Sequence, residues 1–188
     1  MRFLNYLLLA AVLGALQGCF PLIATGVGAG ALMAADRRTT GSYIEDEGIE
    51  DKAISRINTK YGNAIHMNVT SFNRHVLITG EVTNEEIKTG IAQIVSGIPN
   101  VKAVSNELTV SGSTSITSRS SDSIITGNVK LRFLNSKAFQ ADHVKVITEN
   151  GTVFMMGLVY HKEAEAATDI ASTTSGVERV VKVFEYLD

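Results

Sequence analysis

Few residues of this chain have types and spacings suited to bond-making chemistry. Its 188 residues include one cysteine, Cys19, and four histidines, His66, His75, His143 and His161. A single cysteine excludes an internal disulfide and a cysteine-rich zinc site. The histidines form neither an H-x-x-x-H pair nor an HExxH motif, so they lack the spacing of helical metal ligands. His66 and His143 occupy equivalent places in an internal repeat, at the start of a strand, where a structural or surface role is expected. Carboxylates cluster at Glu45-Asp46-Glu47 and Glu50-Asp51 without the spacing of a calcium loop. They read as a solvated helix start, where negative charge suits the helix dipole. The serines of residues 111–123 lack a G-x-S-x-G elbow. The expectation is a protein with no catalytic residue, no metal and no cofactor.

Cys19 has a different chemistry. Arg2 is the only charge in the first 35 residues, and Phe3 to Leu16 is an apolar run. A basic start followed by a short apolar stretch is a secretory signal. The run ends Leu16-Gln-Gly-Cys19, which looks like a lipobox. Residues 1–18 are then a lipoprotein signal peptide, and Cys19 carries a diacylglyceryl group with palmitate-type chains. An uncleaved transmembrane helix is the competing reading, but Pro21, Gly26, Gly28 and Gly30 break its second half. Position +2 is Phe20 rather than Asp, so outer-membrane delivery is expected. Gly26-Val-Gly-Ala-Gly-Ala31 fits a loose G-x-G-x-x-A pattern, yet it lacks the βαβ context of a dinucleotide site. Residues 19–44 read as a tether whose small-residue stretch reaches the charges of Asp36-Arg37-Arg38.

The remainder is a repeat. Residues 64–82 match 141–159 at an offset of 77: Ala64 with Ala141, His66 with His143, Gly80 with Gly157. Further on the offset becomes 79, as for Ser96-Gly97 with Ser175-Gly176. Such ordered matches indicate two copies of one unit. Between them, residues 111–122 form a Ser/Thr-rich stretch that reads as a flexible linker. This places the first domain at 45–110 and the second at 123–188.

Each copy shows one order of periodicities. Ile49, Ala53 and Ile57 step by four, as do Ile125, Val129 and Phe133, which is the buried stripe of a helix. Alternation follows at Ile65, Met67, Val69, then Val76 and Ile78, and again at Val144, Val146, then Val153 and Met155. Asn150-Gly151 supplies the positive φ values of a hairpin turn, and Asn73-Arg74 is its poorer equivalent. A second helix and a last strand complete an α-β-β-α-β unit. A β-α-β crossover makes the last strand parallel. The fold class is therefore α+β: two tandem units, each with two helices packed on a three-stranded mixed sheet. The thin core leaves the strand faces in need of the helices or a partner.

Net charge is −2 with a pI near 6.1, which argues against a general nucleic-acid binder. Its distribution says more. Residues 45–60 carry five acids and three bases, whereas 123–145 carry Lys130, Arg132, Lys137 and Lys145 against Asp142. A basic amphipathic helix suits an anionic lipid surface. Ile124, Leu131 and Leu134 lie off the buried stripe, either to enter a headgroup layer or to complete the core. Gly127 weakens this helix in isolation.

The α-β-β-α-β order, the glycine after the second strand and the Gly-x-x-x-Val opening the third resemble the BON domain. The best motif is Val144-Lys-Val-Ile-Thr-Glu-Asn-Gly-Thr-Val-Phe-Met-Met-Gly-Leu-Val159. Two such domains behind a lipobox resemble the dual-BON lipoproteins of the periplasm, as does Asp36-Arg-Arg-Thr-Thr-Gly41. The resemblance covers residues 16–188. It implies a non-enzymatic, lipid-anchored outer-membrane protein facing the periplasm. It also implies binding of anionic phospholipid, phosphatidylglycerol or cardiolipin, through Ile124, Gly127, Lys130, Leu131, Arg132 and Leu134. Where the family pattern has an aromatic residue, this sequence has Ile124. A role in outer-membrane integrity, including at division sites, follows by the same resemblance. The alternative is a scaffold for a protein partner in envelope assembly or stress response.

Overall fold

The computed structural model describes residues 36–62, 65–111 and 116–188, with backbone alone for 116–119. The signal segment, Cys19 and the tether through residue 35 lie outside the described residues. Ala35–Asp188 forms one compact unit. In chain order its elements are α1 (Thr40–Tyr61), β1 (His66–Phe72), β2 (His75–Val82), α2 (Glu85–Ser96) and β3 (Ala103–Val110). The second repeat follows as α3 (Ile116–Leu134), a 3₁₀ turn (Ala141–His143), β4 (Val144–Glu149), β5 (Thr152–Val159), α4 (His161–Ser172) and β6 (Arg179–Tyr186). Each sheet has its middle strand paired antiparallel to one neighbour and parallel to the other: β1-β2-β3 and β4-β5-β6. The expected α-β-β-α-β architecture is present twice.

Two boundaries differ from the expectation. Thr39 caps α1 by accepting a hydrogen bond from the Ser42 N–H (3.1 Å), so the helix begins at Thr40 inside the expected tether. No acid lies in its first turn, and the Glu45–Glu47 cluster sits a turn further on. Likewise α3 begins at Ile116, inside the stretch expected to be a linker. Serine and threonine are weak helix formers, but tertiary anchoring overrides that preference.

The anchor is the same in both repeats. Asp46 on α1 is buried. It accepts hydrogen bonds from the Asn73 N–H (2.8 Å) and Arg74 N–H (2.7 Å), the two residues of the β1–β2 turn, and from the Ser71 hydroxyl (2.7 Å). Asp122 on α3 is buried too and accepts from the Asn150 N–H (2.8 Å) and Gly151 N–H (2.9 Å) of the β4–β5 turn. All four turn residues have positive φ, between 49° and 70°, the geometry of a tight two-residue hairpin. The glycine after the second strand has a steric cause: a Cβ on Gly80 would collide with the His66 carbonyl, and one on Gly157 with the His143 carbonyl.

Three cores form. In the first repeat the helices cover Val69, Val76, Ile78 and Val82 with Ile49, Ala53, Ile57 and Ile91. In the second, Ile125, Val129, Phe133 and Ala167 cover Val146, Val153, Met155 and Val159. The opposite sheet faces meet each other: Phe72 and Leu77 pack with Phe154, Met156, Leu158 and Val183. The partner that the thin domains require is the other repeat.

The strap before α1 holds this pair together. The Arg38 side chain, 8% exposed, donates to Asp36 (2.7 Å) and Asp46 (3.0 Å) and lies over the Phe72 ring. Arg37 turns to the second repeat, donating to both oxygens of Glu163 (2.6 and 2.9 Å) and to the Leu158 carbonyl (2.9 Å). Burial pushes the Asp36 and Glu163 carboxyls up, but the facing arginines outweigh it and hold both below their ordinary values.

Removing a carboxylate that satisfies buried N–H groups costs about 1.5–3 kcal/mol per charged hydrogen bond lost. Asp46→Ala should therefore destabilise the protein by about 4 kcal/mol or more, and Asp122→Ala by about 3 kcal/mol or more, measured by urea unfolding. The shared core requires both repeats to unfold in one transition; two resolved transitions would contradict it. A carboxylate with a lowered folded pKa stabilises fully above its unfolded value and loses that contribution as pH falls through the folded value. The stability difference between wild type and Arg37→Ala should accordingly shrink on acidification below the carboxylate range, and a difference constant from pH 7 to pH 3 would contradict the strap.

Candidate functional site

The outward face of α3 carries the residues singled out in the sequence. Ile124, Gly127, Leu131 and Leu134 recur at steps of three and four, which places them on one side of a helix. The buried stripe of Asp122, Ile125, Val129 and Phe133 occupies the other side. Ile124 is 64% exposed, Leu131 59% and Leu134 69%. They do not complete the core; they form an apolar ridge on the surface. A Cβ at Gly127 would meet nothing, so the ridge has a shallow dip in its middle. Lys130 is exposed on one flank, and Lys137 is exposed just past the helix.

Arg132 behaves differently. Its guanidinium donates to the Ile170 carbonyl (2.7 Å) and to the Thr174 (2.7 Å) and Thr173 (3.0 Å) hydroxyls, gripping the C-terminal end of α4. The other repeat shows the same device: Arg56, 76 positions earlier, donates to the Gly97 carbonyl at the end of α2 (3.3 Å). Lys145, counted in the basic segment, lies on β4 rather than on the helix and pairs with Glu50 of the first repeat at 3.5 Å. The same 76-residue step sets Ile124, Gly127, Leu131 and Leu134 against Gly48, Asp51, Ser55 and Asn58. The ridge therefore belongs to the second repeat alone, while the arginine grip belongs to both.

The histidines are dispersed. His75 bonds to the Ser105 hydroxyl (2.9 Å), and burial pushes its pKa down. His161 pairs with Asp188 (2.7 Å) and stacks on Tyr186. His143 is buried, with Nδ1 3.4 Å from Glu163. His66 faces the second repeat, its Nε2 3.5 Å from Glu149. Among the described residues one set of metal-type donors converges, His66 with Glu81 and Glu149. Sequence spacing could not reveal it, because its members meet only through strand pairing and the junction of the repeats. No helix among the described residues is long and apolar enough to cross a membrane.

Comparison with known proteins agrees with this architecture. The family model of the BON domain matches residues 45–112 and 121–188. The chain is 41% identical over 185 residues to the outer membrane lipoprotein DolP of Haemophilus influenzae, covering 96% of each chain. It is 29% identical over 154 residues to a 21 kDa hemolysin of Actinobacillus pleuropneumoniae, covering 81% of this chain and 79% of that one. With the fold and the repeat in agreement, the chain belongs to the BON-domain family, as a tandem-BON protein similar to an outer-membrane lipoprotein.

Proposed function

We propose that this is a non-enzymatic periplasmic protein, anchored in the outer membrane through Cys19, whose second BON domain binds anionic phospholipid. The observation that carries the reading is the α3 ridge: Ile124, Leu131 and Leu134 exposed together, with Lys130 and Lys137 beside them. Apolar side chains enter the headgroup boundary, and each nearby base adds about 1 kcal/mol at an anionic surface. Phosphatidylglycerol and cardiolipin are the ligands of the right charge. The ridge has Ile124 where the family pattern has an aromatic residue, so electrostatic attraction carries a larger share of binding. Arg132 contributes its position in the fold rather than a free charge. Support of outer-membrane integrity, with enrichment at division sites where such lipids accumulate, follows from this binding.

A scaffold role is the second reading. It is favoured by the exposed Tyr43 and Ile44 at the start of α1, an apolar surface on the repeat that lacks the ridge. Cross-linking in intact cells separates the two: a single dominant protein adduct that survives Lys130→Glu favours the scaffold.

The test is sedimentation of residues 36–188, strap included, with vesicles of neutral lipid alone or of neutral lipid plus phosphatidylglycerol. Retention is expected only on the anionic vesicles, falling with salt. Lys130→Glu should weaken binding by about tenfold, and Leu131→Asp with Leu134→Asp should abolish it. Lys52→Glu, which reverses an exposed base on the first helix of the first repeat, should leave it unchanged. Equal retention on neutral and anionic vesicles, or none on either, would overturn the proposal.

A further inference from the structure

The geometry points to a divalent transition-metal site, of the zinc class, at the seam between the two BON domains, built from His66, Glu81 and Glu149. One donor atom from each lies within 4.8 Å of the others. His66 and Glu81 are cross-strand partners on β1 and β2, on the sheet face turned to the second repeat. Glu149 ends β4 and reaches the group from that second repeat. An imidazole nitrogen and two carboxylate oxygens are a donor set that suits Zn²⁺.

Three details favour a cation over an ordinary polar contact. First, His66 Nε2 is buried without a hydrogen-bond partner, and it stands 3.5 Å from Glu149 Oε1. That separation is long for a hydrogen bond. It is close to the edge of a tetrahedron with metal bonds of about 2.0–2.1 Å, which comes to about 3.4 Å. Second, the other oxygen of Glu149 accepts a hydrogen bond from the Asn68 amide (2.9 Å). This outer contact fixes the carboxylate with Oε1 toward His66, the arrangement that positions metal ligands. Third, the group borders an open polar cleft of about 260 Å³, lined by His66, Asn68, Asp122, Thr126, Thr148 and Glu149. The cleft gives a water room to complete the coordination.

The second repeat supplies a contrast. His143 occupies the place equivalent to His66 and also stands beside a glutamate, Glu163. There the guanidinium of Arg37 supplies the positive charge. At the His66 position two carboxylates converge, with Glu81 only 6% exposed. A divalent cation held by His66, Glu81 and Glu149 ties one repeat to the other.

The test uses the untagged full chain in detergent, stripped with a chelator and titrated with Zn²⁺ against a chromogenic chelator. One equivalent is expected per chain, with a rise in melting temperature and a perturbed His66 ring signal in the proton NMR spectrum. His66→Gln and Glu149→Gln should each weaken uptake by at least about tenfold, and Asn68→Ala by roughly 10–100-fold. His143→Gln should not affect uptake. Circular dichroism of each variant in chelator reports whether it folds, and the wild-type His66 signal reads the site without any substitution. No stoichiometric uptake, uptake unaltered by His66→Gln, or Ca²⁺ competing equally with Zn²⁺ would overturn the assignment.

Discussion

In each repeat a carboxylate from the first helix meets the two N–H groups at the tip of the first hairpin. Those N–H groups converge because both turn residues sit at positive φ, which turns their amides to the same side. The tip then behaves as a small anion-binding concavity, and Asp46 or Asp122 fills it. Fixing one point of the helix over the hairpin sets which helical stripe faces the sheet. Ile49, Ala53 and Ile57 follow at steps of three and four from Asp46, and Ile125, Val129 and Phe133 follow Asp122 in the same way. The outward face of α3 is consequently determined by a buried acid on its inward face.

The junction of the repeats follows from the shape of the sheets. Helices cover one face of a three-stranded sheet, and the other stays open. Along β2 and β5 successive side chains point to opposite faces. Val76 and Ile78 therefore serve the helix side while Leu77 serves the junction, and Val153 and Met155 alternate with Phe154 and Met156. The junction is apolar where Phe72 and Leu77 sit. It becomes polar toward His66, Asn68 and Glu81, where Asn68 and His66 meet Glu149 of the second repeat. The arginine strap works at the apolar end: Arg38 lies over Phe72, and Arg37 reaches the Leu158 carbonyl.

The repeat, the order of elements, the Asn-Gly turn and the stripes of both first helices were legible in the sequence, because each is a local pattern. The start of α3 was not. Residues 111–122 have the composition of a linker, and what makes their later part helical is the contact of Asp122 with a turn 28 residues away. The acids of α1 misled for a related reason: Thr39 caps the helix early, so Asp46 sits in the body of the helix and points inward. The donors at the seam escaped notice because no spacing within one repeat brings Glu149 beside His66. That Ile124, Leu131 and Leu134 lie off the core stripe was legible; that they stay exposed was not, because apolar residues beside a stripe can equally complete a core. The part played by Arg132 was not, because a basic residue on a helix carries no mark of what it grips.

The internal repeat provides a comparison that separates scaffold from function. Two copies of one unit share whatever the fold requires, and they diverge where only one has a task. Asp46 with Asp122, Gly80 with Gly157, and Arg56 with Arg132 are shared; the acids hold the hairpin tip, the glycines clear a backbone carbonyl, and the arginines donate to the end of the second helix in their own copy. Ile124, Gly127, Leu131 and Leu134 face Gly48, Asp51, Ser55 and Asn58 instead. An apolar ridge exposed on α3 brings no core packing to the fold, and hydrophobic surface grouped in this way marks an interaction site. Its presence in one copy alone, on a helix whose inward face is anchored as in the other, sets the second domain apart from the first and is the basis of the binding proposed for it. The first domain then acts as the partner that closes the open sheet and holds the strap.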